Sequence, residues 1–263
     1  MTAPAELFSA RELFANLTLR ELRSKYKRSW LGWTWSMINP LAYTVIYTVV
    51  FKYFLHATAT PGKIDVYALW LLCALLPWNF FQAAVTTSIG SLTGNGNLIK
   101  KSYFPRQLLP MASVSSALVS HFIEMGLLVT ALLAFGDYQS LIYLPVTFML
   151  IIIMVVFAIG LGLLLGALNV YFRDIEHFMM IFFMIWMYLT PIVYPPTYLH
   201  GKEIVLIKLN PLTEASVAFR DALYYGKLPT ALEVGYLLLA ACVALVVGWL
   251  VFDHFEARLA EEL

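Results

Sequence analysis

Six stretches of this chain run for 19 to 35 residues with at most one Asp, Glu, Lys or Arg among them. They cover residues 29–51, 66–99, 107–136 (where Glu124 is the one interruption), 138–172, 177–201 and 234–252. A helix of about 20 apolar residues crosses a hydrocarbon core of about 30 Å, and two helices in tandem need about twice that length. Each stretch therefore holds one crossing, and the expected spans are 33–55, 67–91, 108–135, 142–168, 178–195 and 232–252. Composition agrees: 61% of the residues are hydrophobic and 13% charged, against about 25% charged in a soluble domain. A soluble enzyme and a disordered chain are both excluded. The formal charge of +1 gives no net field for nucleic acid. Cys73 and Cys242 both sit inside apolar runs, so they form neither a disulfide framework nor a metal cluster. The expected fold is an all-α polytopic membrane protein of six spans.

The start of the chain does not have the pattern of a signal peptide. Residues 1–28 carry Arg11, Arg20, Arg23, Lys25, Lys27 and Arg28 with no short apolar core. Placing this segment inside puts 11 Lys and Arg in the inner loops and 6 in the outer ones, as the positive-inside rule requires. Both termini are then cytoplasmic. No repeat or long linker divides the chain, so residues 1–263 are expected to form a single membrane domain: 1–32 an amphipathic cytoplasmic N-terminus, 33–252 the six-span core, 253–263 a cytoplasmic tail.

Three segments lie outside the spans. Residues 6–28 have a helical apolar face of Leu7, Ala10, Leu13, Phe14 and Leu17, which suits a helix on the membrane surface. Thr18 and Glu21 have capping-box spacing, which would start a second helical segment. The basic residues of this segment would meet anionic headgroups or an acidic partner. In the loop 94–106, Lys100, Lys101 and Arg106 flank Tyr103, Phe104 and Pro105, the composition of a stiff knob for another protein's groove. Between spans five and six, Asn210 and Pro211 signal a helix start and Gly226 a stop. That helix, 211–225, is too short to cross. Its side bearing Leu212, Ala215, Phe219 and Ala222, with Glu214 and Arg220 off it, places it at the outer surface or as a re-entrant element. Pro191, Pro195 and Pro196 break the fifth span just before it.

Within the spans, His121 and Glu124 are an intramembrane polar pair three residues apart, open to two readings: a packing hydrogen bond or a functional ionisable site. Ala158, Gly162 and Gly166 repeat at four-residue spacing, which permits close helix contact. Tyr43, Tyr47, Phe51 and Phe54 share one side of the first span; Phe178, Phe182 and Trp186 share one side of the fifth. Such rows suit either stacking on sugar rings or contact with lipid. No Gly-Lys pair is followed by Ser or Thr, so the sequence contains no phosphate-cradling P-loop, and it shows no zinc-helix or nucleophile-elbow motif.

The chain resembles the ABC type-2 permeases that export polysaccharides, such as O-antigen, teichoic acid, capsule and galactan, from about residue 17 to 230. The resemblance rests on four ordered pieces. These are Arg20-Glu21-Leu22 with Lys25-Tyr26-Lys27, Leu31-Gly32, Trp35 and Pro40; Leu98-Ile99-Lys100-Lys101 with Tyr103-Phe104-Pro105-Arg106; Leu168-Asn169-Val170 with Phe172-Arg173-Asp174; and Pro191-Ile192-Val193-Tyr194-Pro195 with Asn210-Pro211 and Phe219-Arg220-Asp221. Gln107 departs from the family, which usually has Glu there. The resemblance implies a homodimeric permease in a bacterial cytoplasmic membrane, bound to two ATPase subunits that hold ATP and Mg, with no cofactor on this chain. Lys100, Lys101, Tyr103, Phe104, Pro105, Arg106, Arg173 and Asp174 would then couple to the ATPase. The two aromatic rows would line a channel for a lipid-linked polysaccharide, and Pro191, Tyr194, Asn210, Pro211, Phe219 and Arg220 would belong to an outer gate. Rival expectations are an exporter of a lipid or drug, and a membrane-embedded enzyme acting on lipid-linked sugars.

Overall fold

A computed structural model describes residues 10–25, 30, 32–54, 66–198 and 207–256, and all regular structure among them is helical. In chain order the α-helices are α1 (Arg11–Lys25), α2 (Trp35–Tyr47), α3 (Tyr67–Ile89), α4 (Gly96–Lys101), α5 (Leu108–Ala134), α6 (Leu144–Tyr171), α7 (Asp174–Leu189), α8 (Pro211–Leu223) and α9 (Ala231–Glu256). Four of them, α3, α5, α6 and α9, are long and apolar enough to cross a membrane. The protein is a multi-pass membrane protein.

The other two expected spans are wound differently. The first begins as a 3-10 turn at Gly32–Thr34, continues as α2, and passes into a π-helical segment at Thr48–Phe54. Pro40 sits inside α2, and β-branched Thr44, Val45, Ile46, Thr48, Val49 and Val50 crowd the passage from α2 into the π-helical segment. The fifth is the 16-residue α7, about 24 Å long by helical rise and short of a full crossing. It stops at Leu189 because Pro191 lies just beyond.

Helix α3 is the hub. It packs against α2, α5, α6, α7 and α8, and Trp70, Leu71, Cys73, Leu75, Phe81 and Val85 are fully enclosed. Small residues set the closest approaches. A Cβ on Gly162 would meet Ser88 at 2.8 Å, and one on Gly166 would come within 3.1 Å of the Ser88 carbonyl. Ala158 is also fully buried. The expected small-residue row on α6 therefore packs tightly into the bundle, with two of its three members on α3. A second close approach seats α6 on α9: a Cβ on Gly248 would overlap the Gly160 backbone, and one on Gly160 the backbone of Ala244 and Leu245.

Two expectations for the N-terminal helix change. Thr18 caps nothing: α1 runs unbroken through it, and its hydroxyl donates to the Phe14 carbonyl at 2.9 Å, within the helix. The apolar side is met by protein, since Leu17 is buried with Leu92, Ile99, Leu108 and Leu109 while Ala10, Leu13 and Phe14 pack alongside. Arg20 donates to Asn95 at 2.7 Å and Lys25 to Ser120 at 3.3 Å, so two of its cations face the bundle. Leu7, Tyr26, Lys27, Arg28 and the tail 257–263 lie outside the described residues.

Helix α8 also departs from expectation. Asn210 caps it as anticipated, its side chain accepting from the Leu212 amide, and Gly226 takes a left-handed φ of 59° shortly after its end. The helix, however, does not ride a surface. Leu212, Ala215, Phe219 and Ala222 are buried, but so are Glu214, Arg220 and Asp221. Packed between α3, α6 and α9, it is largely enclosed; Arg220 donates to backbone carbonyls and Asp221 pairs with Lys227 at 3.1 Å, while Glu214 is buried without an ion pair among the described residues.

Candidate functional site

The candidate residues fall at two ends and along two rows. At the end of the bundle where α3 begins, the turn after α7 leaves the carbonyls of Pro191 and Ile192 in a buried setting, where each needs a donor. Arg220 supplies them. Its Nη1 donates to Pro191 at 2.6 Å, its Nη2 to Ile192, and its Nε to the Trp70 carbonyl at 3.3 Å. The guanidinium carbon lies 3.5 Å from the Trp70 ring centroid, a stacking geometry only arginine offers. Burial pulls the Arg220 pKa down to about 10, so the group keeps its charge at neutral pH. Asn210 adds a second tie: its Oδ1 accepts from Trp186 at 2.9 Å and its Nδ2 donates to Thr190 at 2.8 Å. Tyr67 donates to the Val193 carbonyl at 2.5 Å, and Tyr194 to the Tyr188 carbonyl at 2.9 Å. Pro191, Tyr194, Asn210, Pro211, Phe219 and Arg220 are thus brought together, joined to α3 and to the end of α7.

The opposite end carries the loop 98–106. Lys100, Lys101 and Tyr103 are exposed, and among the described residues neither lysine has an ion pair. Phe104 is half-buried against Ile99, Leu108 and their neighbours, so the aromatic presented outward is Tyr103. Pro105 is half-buried, and Arg106 donates to the Glu256 carbonyl at the end of α9. Gln107 is fully buried and donates to the Glu256 carboxylate at 3.2 Å. An amide at this position fits a carboxylate neighbour, whereas a glutamate would repel it. Residues 99–106 border an open concavity of about 370 Å³. Arg173 and Asp174, at the start of α7, are exposed at this same end.

Between the ends run the aromatic rows. Tyr43 stacks on Tyr47 with centroids 6.2 Å apart, and Tyr47 meets Phe51 edge-on at 6.2 Å. Phe178 stacks on Phe182 at 6.2 Å, and Phe182 tilts against Trp186 at 5.0 Å. The two rows come together where the Tyr47 hydroxyl reaches the Met187 sulfur at 3.7 Å. Phe54 is 74% exposed and Phe178 64% exposed, so much of both rows lies open in a single copy of the chain.

His121 and Glu124 do not form a pair. His121 is 1% exposed with its ring 4.9 Å from that of Phe80, and neither of its nitrogens has a hydrogen-bond partner among the described residues. Glu124 instead lines a cleft shared with Lys25, Asn39, Asn79 and Gln82. The spacing is right for one helical face, but the middle of that face is a corner where α3 covers one residue and leaves the other open.

Comparison with known proteins places this geometry. The model of the ABC-2 type transporter family matches residues 12–224. The chain belongs to that family. A relative named O-antigen export system permease protein RfbA, from Klebsiella pneumoniae, is 30% identical over 252 residues, covering 96% of this chain and 95% of the relative. Its counterpart in Myxococcus xanthus is 27% identical over 97% of this chain and 96% of the relative. The polysialic acid transport protein KpsM of Escherichia coli is 23% identical over 88% and 89%. As an ABC-2 type membrane subunit, the chain is a transport component and not itself the ATPase.

Several residues of this ABC-2 subunit escaped the sequence reading. The partners of Arg220 are backbone atoms of residues as far as 150 positions away, which no side-chain motif reveals. Glu256 as the partner of Arg106 and Gln107 is equally remote. Asn79, Gln82 and Thr86 did leave a signal: polar residues at helical spacing inside an apolar span.

Proposed function

We propose that this chain is the permease of an ATP-driven exporter that moves a lipid-linked polysaccharide across a bacterial cytoplasmic membrane. Two copies work with two separate ATPase subunits, which bind ATP and Mg. Each copy crosses six times, with both termini cytoplasmic. The observation that carries the reading is the pair of open aromatic rows in a chain whose named relatives export O-antigen or transport polysialic acid over nearly their full length.

Rings at roughly one-turn spacing offer a succession of stacking faces at little conformational cost, which suits a long sugar polymer better than one compact pocket would. Two copies facing each other would cover these apolar faces and enclose a lined path. The exposed Lys100, Lys101 and Tyr103, with Arg173 and Asp174, form the docking side for the ATPase; Phe104, Pro105 and Arg106 support it from within and pass its motion to α1 and α9. Because Arg220 and Asn210 hold the 190–195 turn and the Trp186 end of α7 to α8, these elements move as one gate unit. Arg220 also fixes the depth at which the second row ends.

Deleting the chromosomal copy in the native host should strip the glycan from the cell surface and leave lipid-linked polymer inside. Expression of the wild-type chain should restore export, and a chain carrying Tyr47→Ala and Phe182→Ala should not, despite reaching the membrane. Full export by that double variant, or surface glycan undiminished by the deletion, would remove the basis for this function.

A further inference from the structure

One cleft borders the first aromatic row through Tyr43, and its other walls take no part in the reading above. Helices α1, α2, α3 and α5 border an open chamber of about 360 Å³, within the size range of small-ligand sites. Its walls carry an ammonium from Lys25, a carboxyl from Glu124, side-chain amides from Asn39, Asn79 and Gln82, and the Thr86 hydroxyl. Lys25 is steadied there by its hydrogen bond to Ser120 at 3.3 Å. A second, smaller cavity of about 110 Å³ shares Pro40 and Glu124 with the chamber, and its remaining lining is apolar, including Leu72, Leu76 and Leu128.

The two compartments together have the polarity of an amphiphile, a polar head beside an apolar tail. The polar wall on α3 runs from Thr87 back to Asn79, about 12 Å along the helix by its rise per residue. A headgroup held here would have its chain directed toward Leu72 and Leu76 near the other end of α3. The charges narrow the head. Among the described residues the chamber carries one cation, Lys25, and one carboxyl, Glu124, a pairing that complements a zwitterion. Trp35 and Tyr43 also line the chamber, and the amide and hydroxyl oxygens that share it with Glu124 offer acceptors to an ammonium that donates hydrogen bonds.

We propose that this cleft is a binding site for a membrane phospholipid with a zwitterionic, primary-amine headgroup, of the phosphatidylethanolamine class. Its ammonium meets Glu124, its phosphate meets Lys25, and an acyl chain occupies the Leu72–Leu128 slot. Because Lys25 belongs to α1 and Asn39 to α2, the lipid would bridge the N-terminal helix to the helix that bears the first aromatic row.

The test is native mass spectrometry of the full chain in its ATPase complex, after exchange against vesicles of phosphatidylethanolamine, phosphatidylcholine or phosphatidylglycerol. Phosphatidylethanolamine should be retained at about one lipid per chain, about tenfold more than either competitor. Glu124→Gln and Lys25→Gln should each lower retention by about tenfold. Ala83→Phe, which fills the chamber without touching a charge, should do the same while leaving thermal unfolding unchanged. Equal retention of the three lipids, retention undiminished by Ala83→Phe and Glu124→Gln, or displacement of phosphatidylethanolamine by lipid-linked glycan would each overturn the site. Export could fail or succeed independently of any of these results.

Discussion

Arg220 and Lys100 sit at opposite ends of one helical bundle, and the protein treats the two cations in opposite ways. Arg220 is 2% exposed, with its donors directed to three backbone carbonyls and its flat face on Trp70. Lys100 and Lys101 project from α4 beside a fully exposed Tyr103 and have no ion pair among the described residues. Enclosed charge with all three nitrogens engaged locks a turn in place, whereas exposed charge beside an exposed aromatic ring leaves binding energy for another molecule. The first end is held from within, and the second is the end proposed above to meet a partner.

The comparison breaks most visibly at Arg220. Replacing it by Met leaves the Pro191, Ile192 and Trp70 carbonyls without their donor and should cost about 3 kcal/mol of stability. Thermal unfolding followed by tryptophan fluorescence in nanodiscs should show the loss, with Arg220→Lys intermediate because one ammonium cannot reproduce the planar fork. A Met variant as stable as wild type would mean that this end is not held by its cation. The reverse pattern should appear at the other end. Tyr103→Glu should leave the unfolding temperature unchanged yet reduce glycan moved per ATP hydrolysed by about tenfold, equivalent to about 1.4 kcal/mol of coupling.

Gln107 sharpens the boundary between the two kinds of site, since it lies next to the exposed loop but is itself enclosed. Gln107→Glu would set two carboxylates together at Glu256 and cost about 1 kcal/mol of stability. Gain of ATPase affinity without loss of stability would instead mean that position 107 faces the partner. The smallest effect concerns acid. Burial raises the pKa of both Glu214 and Asp221, with the nearby Lys227 opposing the rise at Asp221. The folded protein therefore binds these protons more readily than the unfolded chain. Their contribution to stability is full below the unfolded carboxylate values and is lost as pH rises through the raised folded ones. The unfolding temperature should climb slightly as pH is lowered from about 7 toward 5, and Glu214→Gln should flatten that slope.

The spans that matched expectation are those where length alone decides. Tyr67–Ile89, Leu108–Ala134, Leu144–Tyr171 and Ala231–Glu256 each fill a long apolar stretch with regular helix. The other two depend on local winding. Pro191 ends α7 early, and the segment from Thr48 to Phe54 adopts a π-helical path, neither of which a hydropathy count registers. Helix α8 shows the limit from another side. A helical wheel assigns Glu214 and Arg220 to water because they are charged, but the wheel does not see that carbonyls 28 and 29 residues earlier lie within reach of the guanidinium. His121 and Glu124 show the same limit: spacing placed them on one face, and the neighbouring helix then separated their surroundings. Gly160 and Gly248 lie on different helices, so their contact left no trace in either helix's spacing. The aromatic rows were readable because a four-residue repeat of rings survives any choice of neighbour.

The central claim is that an ATPase working at the Lys100 end drives sugar polymer along the aromatic rows. Its most direct measurement uses proteoliposomes holding the permease, its ATPase and lipid-linked polysaccharide, with a membrane-impermeant glycan hydrolase on the far side. The account predicts that polymer becomes hydrolase-sensitive only when ATP and Mg are present on the Lys100 side, and that Tyr103→Glu lets ATP be consumed with little polymer crossing. Polymer that crosses without the ATPase, or crosses equally well in the Tyr103→Glu vesicles, would contradict it.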